Sequence, residues 1–202
     1  MKPHVTRSAR TCMMVRVSEE GLASLLLAGG TLQAQGSGAE LIPAQTISIK
    51  ITLGVRWLEI EYKVENKQAT PLTESMTVPF PINIRKPTFR LGQVGSTIDP
   101  ARDIVEGANR ELWCVDRWVD VSDDRIGLAI EPRDMPLVSI GNVGIYRFEA
   151  DRVPEEPVVY AQLANTQWGT NFPQWLAGDV KFWVGLGLHA GDWRKGAVLR
   201  DP

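Results

Sequence analysis

Two stretches of the chain concentrate side chains able to bind or transform a substrate. The first, Glu106-Gly107-Ala108-Asn109-Arg110-Glu111-Leu112-Trp113-Cys114-Val115-Asp116-Arg117-Trp118-Val119-Asp120, mixes an amide, guanidinium groups and carboxylates with two tryptophans. Sugar recognition uses that mixture: an indole face meets the C–H side of a pyranose, and planar polar groups bond its hydroxyls. Trp113 and Trp118 are five apart, so on one straight strand they face opposite sides and only one reaches a common site. The ordinary alternative is a strand pair whose Arg110, Asp116 and Arg117 form surface or inter-strand ion pairs. The second stretch, Asn165-Thr166-Gln167-Trp168-Gly169-Thr170-Asn171-Phe172-Pro173-Gln174-Trp175, holds three aromatics and four side-chain amides but no charge. It reads as a loop between two strands, where a rigid β-scaffold presents binding residues. Trp168 and Phe172 would serve equally well as plugs closing the end of a sandwich.

Catalysis is harder to assemble from these residues. A glycosidase needs two carboxylates roughly 5 to 10 Å apart across the scissile bond. Asp116, Asp120, Asp123, Asp124 and Glu131 are the candidates, but Asp123-Asp124 between Ser122 and Arg125 reads as a turn. Cys114, beside Trp113 in a strand-like segment, is expected to be a buried apolar residue rather than a nucleophile. Only two histidines occur, His4 and His189, which argues against a self-contained zinc or Ser-His-Asp enzyme. His189 is expected to end the last strand. With two cysteines, no P-loop and no H-E-x-x-H, no metal, cofactor or catalytic residue is assigned.

The elements that must position these residues are strands. Apolar residues at Ile47, Ile49, Ile51 and Leu53 alternate with polar ones, and after Gly54 the pattern resumes at Leu58, Ile60, Tyr62 and Val64. This predicts a hairpin with one buried face and one solvated face carrying Lys50, Glu59, Glu61 and Lys63. Further strands are expected at 75–78, 88–91, 118–121, 126–130, 137–140, 146–148, 158–163 and 180–188. Ten prolines between Pro71 and Pro173 leave little room for helices. The expected fold is an all-β antiparallel sandwich.

The 202 residues allow one domain, with a leader or incomplete segment over 1–44, a sandwich over 45–190 and a tail over 191–202. A net charge of -2 gives no broad attraction to nucleic acid or to an anionic membrane, and no apolar run is long enough to span a bilayer. The basic residues before Arg16 and the apolar run Leu22 to Ala28 suggest a signal peptide. Glu19 and Glu20 stand where its basic region should be, which tilts the expectation toward the cytoplasm. A strand and turn is the alternative there.

The segments 89–96, 107–120, 136–141 and 165–175, followed by Gly178-Asp179, occur in an order that resembles the C-terminal β-sandwich of family 38 glycoside hydrolases, the α-mannosidase type. The resemblance covers about Thr46 to His189, and W-G-T-N-F-P-x-W is its most specific element. In that family a (β/α) catalytic domain carries zinc and a carboxylate nucleophile, for which this chain has neither the length nor the histidines. The resemblance therefore implies a non-catalytic, carbohydrate-associated sandwich, a piece of a larger enzyme, that binds sugar or docks on a catalytic domain. It makes Asn109, Arg110, Trp118, Trp168, Asn171 and Trp175 candidates for lining a carbohydrate site. Self-association through the uncovered face is a further expectation. The other possibilities are an interaction module whose tryptophans are all core, or a small metal-independent glycosidase.

Overall fold

The computed structural model describes residues 13–17, 23–27, 46–53, 57–69, 75–143, 150–166 and 176–196. Among them there is no helix. Thirteen strands follow in order: β1 Met13–Val17, β2 Ala23–Leu27, β3 Thr46–Leu53, β4 Trp57–Lys67, β5 Ser75–Pro81, β6 Thr88–Gln93 and β7 Ser96–Ile98. They continue with β8 Trp113–Cys114, β9 Val119–Ser122, β10 Ile126–Pro132, β11 Leu137–Ile140, β12 Val158–Asn165 and β13 Gly178–Ala190. A seven-stranded sheet runs β3-β4-β13-β10-β9-β6-β7 and a four-stranded sheet runs β5-β12-β11-β8. Every described pairing is antiparallel.

The alternation in the sequence fixes which face is buried. Ile60, Tyr62 and Val64 of β4, Val119 and Val121 of β9, and Phe182, Val184 and Leu186 of β13 point inward. They meet Val78 and Phe80 of β5, Trp113 of β8, Val138 and Ile140 of β11, and Val159 and Ala161 of β12 in one core. Each large side chain buried there contributes about 1.5–3 kcal/mol of transfer free energy. The register sets Lys50 opposite Glu61 and Ser48 opposite Lys63. Prolines 79 and 81 are tolerated because β5 is an edge strand, where a missing N–H breaks no ladder on the open side.

Several expectations change in the structure. The stretch 107–120 divides between the two sheets: Val115 N–H donates to Pro136 O (2.7 Å) on the side of the four-stranded sheet, whereas Asp116 N–H donates to Gly92 O (2.9 Å) in the seven-stranded one. The chain thus switches sheets between consecutive residues. Trp113 enters the core, while Trp118 lies on the outer face of the large sheet. Cys114 is exposed and free, contrary to the buried place expected for it, because Trp113 takes the inward position of the two-residue edge strand β8. The turn joining β6 to β7, Val94-Gly95, has positive φ at both residues (51° and 72°), the geometry of a tight primed hairpin turn. Valine gives no sequence signal for such a turn, and the Asp116 carboxylate secures it by accepting from Gly95 N–H at 2.9 Å.

The apolar run suspected as part of a leader includes β2, which pairs with β1 through Val15 opposite Leu25. The strand candidate at 146–148 lies outside the described residues.

Candidate functional site

The outer face of the large sheet carries polar side chains together with Trp57, Trp118, Trp183 and Trp193. Its registers form one row across five strands: Arg90, Asp120, Ala129, Gly187 and Trp57. A flanking row carries Thr88, Ser122, Gly127 and His189. On the other side, Glu131, Gly185, Glu59 and Thr52 form a third row.

Small residues on the middle strands let long side chains lie flat or reach over them. Glycine inside a strand often marks such a close approach. The Trp57 ring rests on β13, since a Cβ on Gly187 would sit 3.0 Å from Trp57 Cη2 and one on Gly185 would sit 3.4 Å from Trp57 Cε3. Trp118 lies against Gly92 in the same way, with Nε1 2.9 Å from where a Cβ would be. Trp193, in the loop after β13, stacks on Trp118 with centroids 6.0 Å apart and an interplanar angle of 25°. The Arg194 guanidinium sits 4.4 Å from the Trp193 centroid. Trp57 and Trp193 are half-buried, and both pack against a small cluster formed by buried Trp118 and Ala129.

Beside this aromatic strip, Glu131 of β10 and Glu59 of β4 reach toward each other across Gly185. Arg133 joins them, with Nε 3.1 Å from Glu131 Oε2 and Nη1 3.2 Å from Glu59 Oε1. The hydrogen bond and charge of Glu131 outweigh desolvation, and with Glu59 they hold the guanidinium pKa above its ordinary value. One residue row further along, half-buried Trp183 stands opposite Glu61. The Trp183 backbone N–H donates to Asp134 Oδ2 at 2.9 Å. The face therefore combines indoles, carboxylates and a guanidinium, the set that suits a ligand with apolar C–H faces and many hydroxyls.

A second polar group is sealed. Asp120 is fully buried; its Oδ1 accepts from Ser122 Oγ at 2.5 Å, and its Oδ2 lies 2.6 Å from His189 Nε2. Asp120 and His189 belong to strands on either side of β10, and they meet only because Gly127 stands between them. A Cβ there would come within 2.2 Å of His189 Cε1. The loop closes the other side of the ring, since a Cβ on Gly196 would be 2.3 Å from Nδ1. Burial acts to lower the His189 pKa, but the Asp120 hydrogen bond and charge outweigh it and raise the value above 6.5. The Ala190 and Gly191 backbone adds in the same direction, although no group among the described residues meets hydrogen-bond geometry at Nδ1. Serine, histidine and aspartate are thus adjacent without forming a nucleophilic triad: the serine donates to the aspartate, and both are buried.

Of the remaining acids suggested for catalysis, Asp116 and Asp123 have structural partners, while Asp124 is exposed. Asp116 holds the Val94-Gly95 turn, and Asp123 Oδ1 accepts from Arg125 N–H at 2.8 Å and Ile126 N–H at 2.9 Å. Those two backbone bonds lower the Asp123 pKa. Glu131 is tied by Arg133 to Glu59.

Of the residues expected to line a sugar site, Asn109 and Arg110 are half-buried in the loop before β8. Asn109 Oδ1 accepts from Glu111 N–H at 2.9 Å, a local turn bond, and Arg110 Nε is buried without a hydrogen bond among the described residues. Trp118 is 5% exposed and covered by Trp193, so its face is closed to a stacking ligand. Trp168, Asn171 and Trp175 lie outside the described residues. Sequence reasoning missed Trp57, Trp183, Glu59 and Arg133 as a group. The readable signal was Gly185 and Gly187 alternating with inward-facing Val184 and Leu186, which announces something bulky above the strand. In comparisons with known proteins, no family model and no curated protein matches the chain.

Proposed function

We propose that this chain is a non-catalytic, carbohydrate-associated β-sandwich of the α-mannosidase type of glycoside hydrolase, which binds sugar or docks on a catalytic domain. The observation that carries this reading is the outer face of the large sheet. There, half-buried Trp57 and Trp183 stand beside Glu59, Glu61 and the Arg133 bridge. A pyranose stacks on such an indole, and its hydroxyls bond the carboxylates and guanidinium. The all-β sandwich is also the fold that the resemblance implies. The loop 165–175, with Trp168, Asn171 and Trp175, is the other part of this proposal, and Asn109 and Arg110 could add polar contacts.

The test is a titration of intrinsic tryptophan fluorescence with mannose, mannobiose and a glycan panel. Trp57→Ala/Trp183→Ala and Trp168→Ala/Trp175→Ala run alongside the unmodified protein. Saturable binding lost in either folded double variant supports the reading and says which aromatic set carries it. A second reading, a purely structural or interaction sandwich, is favoured by Trp113 and Trp118, which are 4% and 5% exposed and serve as packing residues.

A further inference from the structure

Near the turn between β9 and β10, the inner face of the large sheet leaves the core. Leu186 and Ile130 are 5% and 0% exposed, but Leu188 and Ile126, on the same face two or more residues further along, are 48% and 46% exposed. The register sets Leu188 opposite Leu128 and Ile126 opposite Ala190, which makes Leu188 and Ile126 diagonal neighbours. They line an open groove of about 660 Å³ together with Asn83, Arg85, Asp123, Arg125, His189 and Ala190.

The polar groups of this groove are unevenly committed. Among the described residues that line it, Asp123 is the only carboxylate, and the two backbone N–H groups of the turn occupy its Oδ1. The His189 side chain points to the opposite face, where it is paired with buried Asp120. The side chains of Arg85 and Arg125 make no ion pair or hydrogen bond with any described residue, and both are exposed. Asp123 acts on the Arg125 guanidinium only through space. Two uncommitted guanidiniums beside two exposed aliphatic side chains match a ligand that has an anionic head and an apolar body. Guanidinium is the best side-chain partner for carboxylate or phosphate, and its weak hydration suits a site next to apolar surface.

We propose that this groove binds an amphipathic anion. Its alkyl or otherwise apolar part lies on Ile126 and Leu188, and its carboxylate or phosphate is held by Arg85 and Arg125. The site stands on different residues from the sugar-binding face and does not depend on that reading.

The experiment is calorimetric titration of the full chain with octanoate and octyl phosphate. Acetate and inorganic phosphate serve as heads without a chain, and octyltrimethylammonium as a chain with the opposite charge. Arg85→Gln/Arg125→Gln and Leu188→Ser are titrated in parallel. All three substituted residues are exposed, and cooperative urea unfolding checks that each variant is folded. The expected result is saturable binding of octanoate or octyl phosphate at least tenfold tighter than that of its bare head or the cationic amphiphile. Each variant should weaken it tenfold or more, and the tighter of the two ligands identifies the head. Equal binding of the cationic amphiphile, equal binding of the bare heads, no binding of either anion, or unchanged affinity in the folded variants would overturn the proposal.

Discussion

The sealed Asp120–His189 pair gives the protein a pH dependence whose direction follows from its geometry. Asp120 has no solvent exposure, the His189 side chain is 9% exposed, and Nε2 lies 2.6 Å from Oδ2. Replacing His189 with Ala leaves a buried carboxylate held, among the described residues, by Ser122 alone, and removing one partner of a buried pair costs about 3–5 kcal/mol. That is a large part of the roughly 5–15 kcal/mol by which a domain of this kind is stable. The His189 pKa is raised in the folded chain, because the Asp120 hydrogen bond and charge overcome the opposing effect of burial. Its stabilisation is therefore fully present below the unfolded value of about 6.5 and is lost as pH rises through the folded value. One proton bounds the slope at about 1.4 kcal/mol per pH unit. Urea unfolding at pH 6 and pH 9 should show a smaller penalty for His189→Ala at pH 9. His189→Gln, which keeps a donor but no charge, should have a flatter profile than the unmodified chain. A penalty that is equal at both values, or larger at pH 9, would refute the reasoning.

Three further outcomes follow from packing. Gly187→Val should push the Trp57 ring off the sheet, cost about 1–3 kcal/mol as overpacking and shift tryptophan emission to the red; an unchanged spectrum and midpoint would contradict the close contact. Ile130→Ala, at a position with no exposure, should cost about 2–5 kcal/mol in chemical denaturation, and a loss below half a kcal/mol would remove Ile130 from the core. In a Cys12→Ser background, Cys114 should react with Ellman's reagent in the native protein as fast as in urea, whereas slow native reaction would mean that the thiol is covered.

How much of this was legible depends on whether the feature is local. The hairpin of β3 and β4 could be read because Ile47 to Val64 repeats with period two and one face is buried, so the register has no freedom. The Asp123-Asp124 turn was legible for the same reason: an Asp side chain bonds backbone only two or three residues away. The switch between Val115 and Asp116 was not, since both sides of it continue the same strand-like pattern. Its cause lies in distant partners, Pro136 and Gly92. Asp120 and His189 are 69 residues apart, and only the strand order β13-β10-β9 brings them together over Gly127. The outer-face group is likewise a product of topology: Trp57, Glu131, Arg133 and Trp183 come from β4, β13 and the end of β10. Of the expected sugar-site residues, Trp118 failed as an open platform because a residue in the following loop, Trp193, covers it.

The central claim, that this sandwich engages carbohydrate through open indoles, is tested most directly by the fluorescence titration with mannose, mannobiose and a glycan panel. Millimolar affinity, about 4 kcal/mol, is sufficient to detect. The expected result is a saturable, sugar-selective shift that disappears in the folded Trp57→Ala/Trp183→Ala or Trp168→Ala/Trp175→Ala variant. A flat response to every glycan from a cooperatively folded protein would contradict sugar binding and leave a scaffold whose aromatic face serves packing or a protein partner.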